Sequence, residues 1–316
     1  MIEILFSEDG KLQKLEAPVE GCWINMLDPS KSEIQAIAGK MGVEQDFLTA
    51  ALDEEERPRI ESEDGVTLIV VDIPLVEAVP GSDRFAYATM PLGIIVCPTC
   101  LITVSLKKTQ LIRDFLENRV KTFCTFKKNR FILQLLYRNA TYYLQYLRQI
   151  DKITNNIEND LHKSMKNKEL MLLLSLEKSL VFFSTSLKSN EIVLTKLMKY
   201  NFPNISIKKY PEDEDLLEDV IIENKQAIEM ANIYSNILNG MMDAFASIIS
   251  NNLNIVMKLL ASVTIVMSIP NIISGFFGMN VPMPLAQFSW AFYGICGGAA
   301  LVCAIVAIIL FKKKMF

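Results

Sequence analysis

The chain has 316 residues, 51% of them hydrophobic and 22% charged, with a formal net charge of −4. That figure hides a partition: all 36 acidic residues precede Lys258, so residues 1–257 carry a formal −8, which argues against nucleic acid or anionic lipid as a partner and suits cations. One histidine excludes a His-based metal cluster and an HExxH site, the six scattered cysteines form no disulfide framework, and neither GxxxxGK(S/T) nor GxGxxG occurs, so no nucleotide-driven pump is legible.

Residues 1–120 mix strand and helix signals. Val66 to Val71 and Gly93 to Cys97 are apolar, β-rich runs, and Leu101 to Leu106 continues the pattern after Pro98-Thr99. Cys97-Pro98-Thr99-Cys100 has the CxxC spacing, but strand patterns flank it on both sides, so it reads as a hairpin turn rather than a redox motif opening a helix. Lys31 to Gly42 and Asp46 to Leu52 read as helices, which makes this a small α/β domain.

Two stripes at helical spacing follow: Leu136, Tyr143, Leu147, Ile150, Ile157 and Leu161, then Leu173, Leu176, Leu180, Phe183, Leu187, Leu194 and Met198. The polar break at Ser164 to Asn167 predicts two long antiparallel helices. His162 sits on the first pattern among lysines, unlike a triad base held in a cleft. Asn201 to Pro211 reads as a linker. Beyond it, Glu212, Asp213, Glu214, Asp215, Glu218, Asp219 and Glu223 crowd a helix start, where the macrodipole favours acid. The run Glu212 to Asp215 reads as a solvated helix start, with cation binding as the alternative. The stripe Val220, Ala227, Ala231, Tyr234, Leu238, Met241, Phe245 and Ile249 then carries one helix of about 60 residues toward the apolar end of the chain, about 90 Å at its usual rise. An apolar stripe of that length needs neighbours, and self-association supplies them.

From Leu259 to Phe311 no residue is formally charged. A bilayer-spanning helix takes about 20 apolar residues, so the stretch reads as two spans joined by a turn at Gly278-Met279-Asn280. Lys258 and Lys312-Lys313-Lys314 flank the spans on the side away from that turn, and the positive-inside rule puts both termini in the cytoplasm. Phe288, Trp290 and Tyr293 suit an interfacial aromatic belt. Gly294, Gly297, Gly298, Ala299 and Ala300 in the second span suit close helix packing. In the first span Asn254, Thr264, Ser268, Asn271, Gly275 and Gly278 follow one face, with Met257, Leu260 and Ala261 filling the gap. Polar groups at membrane depth need partners or water. This face either bonds other helices or lines a water-filled path between copies of the chain. Pro270 frees the Val266 carbonyl, which is expected to kink the helix and face that path.

The Phe277-Gly278-Met279-Asn280 segment, closing the first of two C-terminal spans, resembles the Gly-Met-Asn signature of the CorA family of magnesium channels, which usually has Tyr where Phe277 stands. Trp23-Ile24-Asn25 resembles an early strand of that family. Glu56-Arg57-Pro58-Arg59-Ile60-Glu61 resembles its Arg-Pro-basic-Val-Glu segment, and Asn254 to Leu260 its pore entrance. The resemblance implies an α+β chain. An N-terminal cytoplasmic α/β domain (1–120) precedes a long helical hairpin (121–205) and a stalk helix (206–255), and a pore domain of two transmembrane helices with a basic tail (256–316) completes it. It implies a homopentamer in the plasma membrane that conducts Mg²⁺, with Co²⁺ or Ni²⁺ also possible cargo, by passive influx gated by intracellular cation. It makes Mg²⁺ both cargo and regulator and needs no organic cofactor. By position, Gly278, Met279 and Asn280 form the outer ring; Asn271, Ser268, Thr264 and Asn254 line the path, with Gly275 at a tight point; and Met257 and Leu260 form an apolar constriction. Asp243 forms an acidic ring at the cytoplasmic mouth and Asp219 belongs to an intersubunit sensing site. Two departures stand out. Residues 281–289 contain no acid, and Thr49-Ala50 occupies the place of the Glu-Asp that usually partners the stalk aspartate, so Asp46 or Asp53 is the substitute. A zinc-transporting branch of the superfamily and a membrane-tethered sensor are the competing readings. No constellation supports an enzyme.

Overall fold

The computed structural model describes residues 1–8, 10–78, 85–163, 167–279 and 290–313. Among these residues seven strands form one sheet: β1 (Ile2–Glu8), β2 (Lys11–Leu15), β3 (Cys22–Leu27), β4 (Arg59–Glu63), β5 (Val66–Ala78), β6 (Phe85–Val96) and β7 (Cys100–Ser105). Their order is β2-β1-β3-β7-β6-β5-β4, and β3 and β7 form its parallel pair. The CxxC segment is the expected hairpin turn, closed by Cys97 N–H donating to the Cys100 carbonyl at 3.0 Å. Between β3 and β4 lie α1 (Lys31–Met41), α2 (Gln45–Thr49) and a short 3₁₀ turn, Ala50–Leu52. A capping box between Ser30 and Glu33 starts α1, and Gly42, with φ +65°, ends it in the left-handed region glycine favours.

Both faces of the sheet are covered. Ile24, Met26, Leu68, Val70, Ile95 and Ile102 pack under α1 and α2 against Ile34, Ile37 and Leu48. The alternate residues Trp23, Ile69, Val71, Leu92 and Ile94 pack beneath the other helices, as the period of two along a strand requires. Those helices are α3 (Gln110–Leu116), α4 (Lys128–Lys163), α5 (Asn167–Lys199) and the first part of α6 (Pro211–Phe277). Trp23 anchors this layer edge-on to Phe115, Phe123 and Phe131, with ring centroids 5.1–6.5 Å away.

Polar side chains seat the helices on the sheet edge. The β4 ladder stops at Val70, so the next stretch of β5 lacks a strand neighbour there. At Asp72 the backbone N–H donates to Asn190 Oδ1 at 2.9 Å. Its carbonyl accepts from Asn190 Nδ2 at 2.8 Å, Asn139 Nδ2 at 2.9 Å and the Tyr143 hydroxyl at 3.3 Å. Two amides and a phenol thus stand in for a missing strand.

The chain divides into two units, Met1–Gly240 and Met241–Phe316. Among the described residues three helices are long and apolar enough to cross a membrane: α5, α6 and α7 (Ala291–Lys312). Burial separates them. In α5 39% of the most apolar window is buried, its stripe from Leu173 to Leu194 being packed inside the first unit. In α6 and α7 the corresponding windows are 6% buried. The acidic start of α6 is not uniformly solvated as expected: Asp213 is buried, and Arg130 donates to its Oδ1 at 3.2 Å and to the Glu212 carbonyl at 3.0 Å.

Candidate functional site

In the second unit α7 touches one face of α6. Ser262 is fully buried there, and Val266, Ile269 and Ile273 are half-buried. With about 3.6 residues per turn, these four fall within an arc of about 60°. From α7 the corresponding row is Ile295, Ala299, Cys303, Val306 and Leu310, spaced three or four apart. Asn254, Met257, Leu260, Thr264, Asn271 and Gly275 fall in an arc centred roughly opposite, and all six are exposed; Ser268, on the same face, is half-exposed. Asp243, also exposed, continues this face three turns before Asn254. The sequence-predicted polar residues therefore share the side of α6 that α7 leaves bare.

Local bonds decide what that face can do. Thr264 Oγ1 donates to the Leu260 carbonyl at 2.8 Å and Ser268 Oγ to the Ile265 carbonyl at 2.8 Å. Each hydroxyl spends its hydrogen on its own helix and keeps lone pairs that can accept from water. Among the described residues nothing bonds the side-chain amides of Asn254 or Asn271. Among the described residues this face makes no hydrogen bond to α7, whose described contact lies on the other side of α6.

Two expectations need correction. Pro270 lies inside α6, which continues to Phe277, and the Val266 carbonyl it frees does not face the polar stripe. Cys303 Sγ reaches that carbonyl from α7 at 3.7 Å, within range of a weak thiol donor. Nor do the glycines make the contact between the spans: Cβ atoms added at Gly297 or Gly298 would meet nothing within 4 Å, and Gly294 stands against the Trp290 ring.

At the end of α6, Gly278 N–H donates to the Ser274 carbonyl at 2.9 Å and Met279 N–H to the Phe276 carbonyl at 3.4 Å. Met279 is exposed, as are Trp290 and Tyr293. Asn280, Phe288 and the rest of 280–289 lie outside the described residues. In the first unit Asp219 is exposed on α6. Of the two substitutes for its usual partner, Asp53 closes a turn by accepting from Glu55 N–H at 3.0 Å. Asp46 is exposed among other carboxylates: the Glu44 carboxyl is held above its ordinary range by the charge of Glu63 first, then by desolvation, Asp46 and Asp64. Among the described residues no group of three His, Cys, Asp or Glu side chains is arranged to hold a metal ion.

A sheet domain leading through one long helix into a pair of membrane-length helices, with a polar face left uncovered by the second of them, defines a membrane transport protein rather than an enzyme. Residues 20–313 match the family described as CorA-like Mg²⁺ transporter protein, and the chain belongs to that family. It is 30% identical over 281 residues to the cobalt/magnesium transport protein CorA of Methanocaldococcus jannaschii, covering 86% of this chain and 84% of that one. It is 21% identical over 298 residues to the protein of the same name from Thermotoga maritima, covering 92% and 82%. The complete structure of the CorA magnesium transporter from M. jannaschii superposes with a TM-score of 0.80 at 25% identity, covering 99% of this chain and 96% of that one. The full-length CmaX protein shares the fold, with a TM-score of 0.71 at 15% identity and 100% and 98% coverage.

Proposed function

We propose that this chain is a passive influx path for divalent cations, Mg²⁺ first with Co²⁺ and Ni²⁺ as further cargo, formed by five copies whose α6 helices surround one axis in the plasma membrane. The observation that carries the reading is the row Asn254, Thr264, Ser268, Asn271 and Gly275 on the face of α6 away from α7. Family membership and two relatives named cobalt/magnesium transport proteins support the choice of cargo. In this reading both termini are cytoplasmic, on the side of Lys258 and Lys312.

The chemistry suits a strongly hydrated ion. Mg²⁺ sheds water reluctantly, so a path of amide and hydroxyl oxygens accepts hydrogen bonds from its hydration shell without adding charge. Binding is then weak enough for release. Asn280, with Gly278 and Met279, forms the outer ring; Met257 and Leu260 form an apolar constriction that dewets when closed; and Asp243 concentrates cations at the inner mouth. The membrane potential supplies the drive: a divalent ion gains about 4.6 kcal/mol in crossing about 100 mV, inside negative. That drive never stops, so a gate is required. Asp219, with the carboxylates around Asp46 on a neighbouring copy, binds intracellular Mg²⁺ and holds the closed assembly together. When the ion leaves, like charges face one another and the stalks loosen.

Cation uptake into proteoliposomes tests the reading, comparing Mg²⁺, Co²⁺, Ni²⁺ and Zn²⁺. Asn280→Ala is expected to abolish uptake, and Asp219→Asn to weaken its inhibition by internal Mg²⁺. Unchanged uptake in Asn280→Ala, or a monomeric particle, defeats the pore; an unchanged inhibition curve in Asp219→Asn defeats the gate alone.

A further inference from the structure

A cavity of about 300 Å³ opens where the parallel strands β3 and β7 end, at Leu27 and Ser105. The crevice beyond the carboxyl ends of parallel strands is where such sheets hold ligands. Asn25 and Ser105 line it, 4% and 3% exposed. A relay of donors sets the Asn25 amide. Trp23 Nε1 can only donate, and it donates to Thr103 Oγ1 at 2.8 Å. Thr103 then sends its own hydrogen to Asn25 Oδ1, 3.1 Å away. The amide oxygen is thereby spent against the sheet, leaving the NH₂ of Asn25 on the cavity side. Among the described residues no acceptor meets that NH₂ or the Ser105 hydroxyl. Both residues are buried but line the open cavity, so two donors on one wall are available to an acceptor from outside.

The rim gives that acceptor its charge. Glu3 and Glu117 line the cavity, but each is already paired, with Lys14 at 3.2 Å and Arg119 at 2.5 Å. Lys107 is likewise held by Glu54 and Glu77. Lys108 and Arg113 also line the cavity, and among the described residues neither has a carboxylate within ion-pair reach. The uncompensated charge at the mouth is positive, although residues 1–257 are acidic overall.

We infer that this cavity binds a small oxyanion, a phosphate or carboxylate group, with Asn25 Nδ2 and Ser105 Oγ donating at the buried end and Lys108 and Arg113 closing on it at the mouth. A guanidinium matches two oxygens of such a group, and the volume suits a small metabolite. The site lies within the first unit, and the inference does not depend on the proposed ion path.

Calorimetric titration of the full-length protein in detergent, free of Mg²⁺ and in chloride buffer, tests this with inorganic phosphate and, separately, succinate. Saturable binding of at least one is expected. Phosphate alone assigns a phosphoryl ligand, succinate alone a carboxylate, and both together a general oxyanion site. Lys108→Ala and Arg113→Ala, on the exposed rim, are each expected to weaken binding about tenfold, or about 1.4 kcal/mol. Asn25→Asp still accepts from Thr103 but turns a donor into a charged acceptor, and is expected to abolish binding; Ser105→Ala checks the buried end without adding charge. No saturable heat with either anion, or unchanged affinity in the Lys108/Arg113 double variant, overturns the proposal. Uptake is not read, so either result leaves the transport reading where it stood.

Discussion

Asn190 ties α5 to the unpaired edge of β5 through both backbone groups of Asp72. Its side chain accepts from the Asp72 N–H and donates to the Asp72 carbonyl. Asn190→Ala removes both bonds, with unequal consequences. The carbonyl keeps Asn139 and Tyr143 as donors, whereas the N–H loses the only acceptor it has among the described residues. A lost hydrogen bond costs about 0.5–1.5 kcal/mol and an orphaned buried donor about 1–3 kcal/mol, so the substitution is expected to cost about 2–4 kcal/mol. Asn139→Ala is the internal control. It removes one of three donors to the same carbonyl, and it also deletes the Asn139 Oδ1, which is buried without a partner; the expected cost is about 1 kcal/mol or less. For a unit the size of Met1–Gly240, each kcal/mol moves Tm by about 2–4 °C. Asn190→Ala should therefore lower Tm by roughly 4–16 °C and Asn139→Ala by no more than about 4 °C. The chain has two tryptophans, Trp23 and Trp290, so fluorescence melts in a Trp290→Phe background follow the first unit alone. Equal shifts for the two substitutions would refute the edge-capping argument, because they would mean the orphaned N–H carries no special cost.

Asp72 itself offers a pH-dependent test. Burial raises its carboxyl pKa above the ordinary 3.8, and the nearby Ser186 hydroxyl only partly offsets this. The folded state thus holds this proton more tightly than the unfolded chain, and stability falls as pH rises from 3.8 through the raised value. Asp72→Asn should raise Tm at pH 7, with a gain over wild type that shrinks as pH falls toward 3.8; a gain independent of pH would contradict the assignment. In the second unit, Cys303→Ala strips the Val266 carbonyl of its thiol donor while Cys303→Ser keeps a donor there. Hydrogen exchange in lipid nanodiscs should quicken at residues 267–271 by about two- to fivefold in the alanine variant, for a contact worth about 0.5–1 kcal/mol, and stay near wild type in the serine variant; equal exchange in both would show that the contact holds nothing.

What was legible in the sequence is what repeats. The stripes from Leu136 and from Leu173 specify α4 and α5 because a helix that packs on one side repeats its apolar residues every three or four positions, and the same spacing places Asn254, Thr264, Ser268 and Asn271 on one face. Single contacts between distant segments do not repeat, and those were missed. Arg130 and Asp213 lie 83 positions apart, so the acidic start of α6 read as solvated. Cys303 lies 37 residues beyond Val266, so the carbonyl freed by Pro270 was assigned to the wrong side of the helix. The cavity at Asn25 and Ser105 was missed for the same reason: strand pairing across 78 residues sets Thr103 beside Asn25, and only that pairing turns an amide in an ordinary-looking strand into a donor facing outward. The face of α6 and the cavity of the sheet are therefore different kinds of evidence. The first is a pattern set by residue spacing along a single helix. The second exists only if β3 and β7 pair in the register observed, and a register shifted by one residue would send Asn25 to the opposite side of the sheet and close the site.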